Sequence, residues 1–269
     1  MIRPLIPHPA ALIKSGETCA LAIADLHIGW EVALSEKGIH VPAQTLKLLR
    51  RLKALISTHK PNKLIILGDV KHTIATAELS EWHDVPDFFN EIRLHVKEVE
   101  VIRGNHDGNL EPLLPEDVKL LPSTGTIIGN VGLIHGHRWP PLSLLKCKTI
   151  MMGHIHPTIA LRDPAGFRIT RQIWVKAKCS PDKLASALTK KHEADILDIK
   201  PKTCQIFIMP SFNDFLGGKP LNEELDEEEE ALGPLLRSGA FDLENAEAYL
   251  LDGTFLGTLK QLQIRKALY

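Results

Sequence analysis

Val99-Glu100-Val101-Ile102-Arg103-Gly104-Asn105-His106-Asp107 is the stretch whose reading decides the fold of this chain. An alternating apolar run that breaks at glycine reads as a strand. It sets Asn, His and Asp at the strand's C-terminal end, where α/β sheets carry their chemistry. Four more clusters repeat the pattern, each an apolar run ending in His, Asp or both. They are Ala22-Ile23-Ala24-Asp25-Leu26-His27, Leu64-Ile65-Ile66-Leu67-Gly68-Asp69-Val70-Lys71-His72, Gly132-Leu133-Ile134-His135-Gly136-His137 and Ile150-Met151-Met152-Gly153-His154-Ile155-His156. Five such clusters point to one site assembled from several strand ends.

Asp, His and Asn donors without cysteine suit divalent Mn, Fe or Zn, with imidazole and carboxylate sharing the coordination. Asp25, His27, Asp69, Asn105, His135, His154 and His156 make seven candidate ligands, too many for one ion. Two ions that share a carboxylate use about this number. A pair of metals about 3.5–4 Å apart clamps the attacking and leaving oxygens of an in-line phosphoryl displacement. The x-spaced pair His154 and His156 lies on one face of an extended strand. His135 closes its apolar run and is the expected ligand there, with His137 a loop residue or a substrate contact. His72 either orients a metal ligand or faces solvent. His8, His40, His59, His83, His95 and His192 carry no functional expectation.

The bulk numbers agree with a soluble globular protein, 44% hydrophobic and 24% charged. The chain has 269 residues, enough for a sizeable core, and 5% aromatic residues, so that core must be aliphatic. The net charge of -1 gives no overall field for polyanions, yet charge is segregated. Between Leu161 and Lys191 there are eight basic residues (Arg162, Arg168, Arg171, Lys176, Lys178, Lys183, Lys190, Lys191) against Asp163 and Asp182. Asn222 to Glu230 is the acidic counterpart, expected as a solvated loop or helix face. Cys19, Cys147, Cys179 and Cys204 share no CxxC spacing, which argues against a zinc knuckle and fits reduced thiols in the cytoplasm. The first 18 residues, broken by Pro4, Pro7 and Pro9, contain no continuous apolar leader, and no run reaches membrane-spanning length. No membrane association is expected.

Along the chain, Thr18 to Ala24 reads as the first buried strand. A helix opening at Pro42 follows, with Leu46, Leu49, Leu52 and Ile56 on its apolar face. Lys63 to Leu67 completes a βαβ unit. Asp84 and Pro86 look like the start of a helix over Asp87–Val96. Thr126–Ile128 and Val131–His135 form a hairpin through Gly129-Asn130. Strands are expected at Lys148–Met152, Thr158–Leu161, Phe167–Val175 and Cys204–Met209, with Asp163-Pro164-Ala165-Gly166 as a turn. Ser180-Pro181 starts a helix to about Lys190, and Tyr249–Leu259 turns at Asp252-Gly253 as a terminal hairpin. No internal linker appears, so 1–269 reads as one domain whose C-terminal part, about 211–269, completes or flanks the sheets.

The series DxH, GDxxH, GNHD, HGH and GHxH, over Asp25 to His156, resembles the five-motif signature of the calcineurin-like metallophosphoesterases. GDxxH and GNHD are most similar to SbcD-type nucleases and the smaller SbcD-related phosphoesterases of archaea. Pro210-Ser211-Phe212-Asn213 and Gly217-Gly218 extend the likeness more weakly. The resemblance implies a four-layer αββα sandwich of two mixed sheets flanked by helices. It implies Asp25, His27, Asp69 and His156 around one ion and Asp69, Asn105, His135 and His154 around the other, Asp69 bridging. By the same resemblance, His106 contacts the phosphoryl group or protonates the leaving oxygen, and Asp107 orients it. The expected activity is hydrolysis of phosphodiesters, nucleic-acid ends among them, by a metal-activated hydroxide. Mn(II) is the favoured ion, with Fe(II), Zn(II) or Ni(II) as alternatives. A phosphomonoesterase with the same centre and a non-catalytic scaffold of the same fold are the rival readings. The chain after His156 must complete the sheets, so a full DNA-facing capping domain is not expected.

Overall fold

The computed structural model describes residues 1–163, 165, 167–193, 200–223 and 232–263. Two sheets face each other. The first holds β1 (Ile2–Pro4), β2 (Ala11–Ser15), β3 (Thr18–Ile23), β4 (Lys63–Ile66), β5 (Glu98–Ile102) and β6 (Val118–Leu121), in that order. From β3 to β6 the strands are parallel, and β1–β3 are antiparallel. The second sheet runs β14-β13-β11-β12-β9-β8-β7. Its members are β7 (Thr126–Ile128), β8 (Val131–Ile134), β9 (Thr149–Met152), β11 (Arg168–Lys178), β12 (Gln205–Ile208), β13 (Glu247–Leu250) and β14 (Phe255–Thr258). An additional strand, β10 (Thr158–Arg162), pairs with β11. Strands β8, β9 and β12 are mutually parallel.

Helices α1 (Trp30–Ser35), α2 (Thr45–His59) and α3 (Leu79–Ile92) belong to the first half of the chain. Helices α4 (Pro181–His192), α5 (Gly233–Leu236) and α6 (Leu259–Leu262) belong to the second. Three apolar layers separate the four structural ones. Alternation along β3 sends Leu21 and Ile23 toward α2 and α3, where they meet Leu52, Ile56, Phe88 and Phe89. Ala20, Ala22 and Ala24 face the other sheet and meet Leu133, Met151 and Met209. Small side chains there let the two sheets approach. The third layer packs Ile150, Val175 and Ile206 against Leu184 and Leu188 of α4. Each fully buried aliphatic side chain contributes about 1.5–3 kcal/mol, so the sheets are held by distributed burial.

The two-sheet α/β architecture is the one expected, and most strands fall within two residues of their expected positions. Four readings need correction. Strands β1, β2 and β6 were not anticipated, since three prolines break the N-terminal pattern and Val118–Leu121 is a short run; the β2 run Ala11-Leu12-Ile13 is nevertheless buried and pairs with β3, and β6 pairs with β5. In α2 the buried face is Leu48, Leu52, Leu55 and Ile56, whereas Leu46 is 59% exposed. The helix starts at Thr45 rather than Pro42. Helix α3 begins at Leu79, and Pro86 lies inside it. Glu81, three residues into the helix, accepts the Glu78 amide (2.9 Å) and secures this earlier start. Finally, residues 224–230 of the acidic run, and Pro164 and Gly166 of the expected turn, lie outside the described residues.

The basic surplus is smaller than its composition suggests. Arg168 makes a two-point ion pair with Glu223 (2.9 and 2.7 Å), and Lys176 pairs with Glu247 at 2.9 Å. All four cysteines are free thiols. Among the described residues no helix is long and apolar enough to cross a membrane.

Candidate metal centre and active site

Parallel strands of both sheets end at one edge. Asp25 and His27 follow β3, Asp69 follows β4, and Asn105 follows β5; His135 follows β8, and His154 and His156 follow β9. The loops continue each other's ladders beyond the strands. Asp25 donates its amide to Gly68 O (3.1 Å), His27 to Asp69 O (2.9 Å) and Ile28 to Val70 O (2.8 Å). Under this rim runs Ser211-Phe212-Asn213. The Phe212 amide donates to Ala24 O (2.7 Å), Ser211 Oγ to Asp25 O (2.8 Å) and Asn213 Nδ2 to Leu26 O (3.0 Å). Arg51 of α2 holds this segment from outside, its guanidinium 4.0 Å over the Phe212 ring and paired with Asp214.

Five of the seven candidate ligands have left-handed backbone: Asp25 (φ 58°), His27 (44°), Asp69 (53°), His154 (75°) and His156 (42°). Such a conformation costs a non-glycine residue about 1 kcal/mol or more, so the surrounding hydrogen bonds must impose it. Gly104 shows how tight the packing is. A Cβ there would strike the Asp69 carboxylate and amide, so the GNHD turn must open with glycine.

The structure brings six of the seven together in two sets of donor atoms, each within 4.8 Å: Asp25, His27, Asp69 and His156, and Asp69, His135 and His154; a third set joins His27 to His72 and His106. Asp69 belongs to both of the first two. Its Oδ2 lies 3.4 Å from His27 Nε2 and 3.3 Å from His135 Nε2. Asp25 Oδ1 lies 3.5 Å from His156 Nε2. Asn105 Oδ1 joins the second set, 2.9 Å from His135 Nε2, and His154 Nδ1 is 3.1 Å from the same atom. His135 Nδ1 must carry its proton toward Leu67 O (2.7 Å), since a carbonyl only accepts, and this turns Nε2 inward.

Electrostatics favour cations here. Asp25 and Asp69 are buried side by side. Burial alone would raise the Asp69 carboxyl, but His135 and His27 hold it well below the usual range. Burial likewise opposes a charged His135, but Asp69 and Asp25 outweigh it and lift that imidazole to about 9. His154 goes the other way, lowered to about 4 by burial and by His135. His27 Nε2 and His156 Nε2 are buried without a hydrogen-bond partner among the described residues, each aimed at a carboxylate. Two unpartnered imidazole nitrogens facing buried carboxylates, with no thiolate in the set, fit divalent first-row metal ions.

The remaining expected residues separate. His106 lines a cleft of about 270 Å³ together with His27, Asp69, Asn105, His154, His156, Gly217, Gly218 and Lys219. Its amide donates to Asp69 Oδ1 (2.8 Å), and its Nδ1 meets the His72 carbonyl. Asp107 makes no hydrogen bond to the His106 ring. Its carboxylate accepts main-chain amides from Gly104 (2.7 Å), Asp69 (2.9 Å) and Val70 (2.9 Å), stapling the GNHD and GDxxH turns together. Burial and the neighbouring Asp69 push that carboxyl up to about 6, against the pull of the amides. His72 sits with its Nδ1 3.3 Å from His27 Nδ1, beside the centre rather than in solvent. His137 is half-buried next to His135 and His154 but outside both donor sets. Burial and those two rings lower it to about 3. Two residues that the motifs did not single out for a role, Lys71 and Glu81, are almost fully buried behind His72. A lysine between two site residues was the available signal.

Parallel strand ends that gather carboxylates and imidazoles over an open cleft define a metal-dependent phosphoric ester hydrolase. A model of the calcineurin-like phosphoesterases matches residues 20–197, more than half of the sequence, and the chain belongs to that family. Among solved structures, nuclease MPE of Pseudomonas putida aligns over 94% of this chain and 98% of its own, at 21% identity and a TM-score of 0.51, a likeness of fold. Yfce, a phosphoesterase from E. coli, aligns over 54% of this chain and 73% of its own, at 20% identity and a TM-score of 0.34. No curated protein matches the chain.

Proposed function

We propose that this protein is a binuclear phosphodiesterase of the SbcD-related branch, with nucleic-acid ends as its substrate class and Mn(II) as its favoured ion. Asp25, His27, Asp69 and His156 would hold one ion, and Asp69, Asn105, His135 and His154 the other. The observation that carries the reading is that Asp69 belongs to both donor sets. When bound, the ions supply the positive charge that clamps the attacking and leaving oxygens.

The chain's own residues do the rest. His106 donates its Nδ1–H as a hydrogen bond to the His72 carbonyl, so in the imidazolium form the Nε2–H is the proton available to pass to the leaving oxygen in the cleft. Asp107 acts through the backbone, holding the turn that presents Asn105 and His106. Among the described residues Lys219 is the one lysine or arginine lining the cleft, and Gly217 and Gly218 leave its wall low. A single cation suits the one negative charge of a diester better than the dianion of a monoester, and a low wall leaves room for the second ester arm. The shared fold with a nuclease is consistent with a nucleic-acid substrate. We read 1–269 as one domain, in which β12, β13 and β14 complete the second sheet. The four free thiols suit a cytoplasmic setting.

The test is hydrolysis of matched aryl phosphate mono- and diesters with and without Mn(II), beside labelled single- and double-stranded DNA. Diester turnover and DNA cleavage that both depend on Mn(II) are expected. Fast monoester turnover with no cleavage of DNA would overturn the diester reading.

A further inference from the structure

Lys71 has no exposed surface. A buried ammonium is costly unless its donors are used, and two of its three go to main-chain carbonyls just downstream, Thr73 O and Thr76 O (2.6 Å to the latter). The segment 72–76 is neither helix nor strand, so its polar backbone must find partners elsewhere. Glu81, 1% exposed, supplies the acceptor side. Its Oε1 takes the amides of His72 (2.9 Å) and Thr73 (2.8 Å), while Oε2 takes that of Glu78. Asn109 Nδ2 donates to Ala75 O (3.0 Å), and Gly108 packs against Ile74 O with no room for a Cβ. The loop is thus fastened to the turn that carries His106. Its His72 carbonyl is the group that meets His106 Nδ1.

We propose that Lys71 and Glu81 form a clamp of opposite charges that holds this loop so that the His72 carbonyl fixes the orientation of the His106 ring. Both are positioning residues, and the proposal rests on the reading of His106 as the acid. Without the ammonium, the Thr73 and Thr76 carbonyls lose their buried donor, and the loop is released to move the His72 carbonyl. The ring can then rotate and carry its Nε2–H away from the leaving oxygen. Proton delivery to a poor leaving group suffers, whereas a nitrophenolate departs without a proton.

The experiment uses the full chain reconstituted with Mn(II). Rates are measured on bis-p-nitrophenyl phosphate and on a dithymidine phosphodiester, whose leaving oxygen is an alkoxide. Lys71→Met should keep its Mn content and KM and lose about 10- to 100-fold in kcat on the dithymidine ester, with less than about threefold lost on the nitrophenyl ester. In a His106→Ala background the same change should add less than about twofold, because the ring it positions is gone. Equal losses on both esters, loss of Mn, or full additivity with His106→Ala would overturn the clamp. His106→Ala alone reports on the acid. No leaving-group dependence there removes the acid reading and the clamp with it; dependence there but none in Lys71→Met removes the clamp only. If Lys71→Met does not fold, Glu81→Gln carries the test, since it keeps the side chain's shape and weakens only the acceptor side. The same selective loss, smaller in size, is then expected.

Discussion

Replacing Asp69 by Asn tests the shared-carboxylate arrangement. The change conserves shape and keeps an Oδ1 acceptor for the His106 amide, 2.8 Å away, while removing the charge that lies 3.3–3.4 Å from His135 and His27. Two unit charges 4 Å apart at an effective dielectric of about 20 interact by about 4 kcal/mol. Each bound cation would lose at least one such interaction, so affinity for Mn(II) should fall about a thousandfold at both sites together. Metal-free stability at neutral pH should fall as well, because His135 and His27 hold the Asp69 carboxyl well below its usual range despite its burial, and the change removes that charge. Calorimetric titration of the metal-free protein with Mn(II) reads both sites, with His156→Ala as the control expected to weaken one. An Asp69→Asn protein that loses a single site, or binds two ions with wild-type affinity, refutes the sharing of Asp69.

Three further outcomes are expected. Adding Mn(II) at about a hundredfold excess over Kd should stabilise the fold by about 2.7 kcal/mol per site, read as a rise in melting temperature that a chelator reverses; no shift would mean that the centre does not bind Mn(II). Gly104→Ala should cost activity and Mn content together, since its Cβ collides with Asp69; a variant with normal metal content and rate would show that the turn yields freely. Asp214 is drawn toward neutrality by burial, but Arg51 and Lys47 outweigh this and lower its pKa. A lowered carboxyl contributes stability above its unfolded pKa of about 3.9 and loses it as pH falls through the folded value. Asp214→Asn should therefore destabilise by about 1 kcal/mol or less at pH near 7, the pair being partly exposed, and by progressively less as pH falls through the folded value; urea titrations at neutral and acid pH check the difference.

Much of the site was legible in the linear sequence. A strand that ends in Asp, His or Asn is a local pattern, and five of them in one chain nominate candidate ligands without any knowledge of packing. Strand periodicity likewise made β3–β5 of the first sheet and most of the second visible, since alternation depends only on neighbours along the chain. The start of α3 and the buried face of α2 were not legible. The first depends on the Glu81 carboxylate reaching back to Glu78, and the second on which leucines the sheet meets. The partners of His106 also needed the fold. Sequence adjacency suggests Asp107, but that carboxylate is turned into the backbone of two loops, and the ring finds the His72 carbonyl from 34 positions away in the chain. Lys71 and Glu81 belong to the same class. Residue type says which atoms can ligate or donate, a property of the side chain itself. Which acceptor a given donor meets depends on where separate strands end in space, and that is decided only when the two sheets pack.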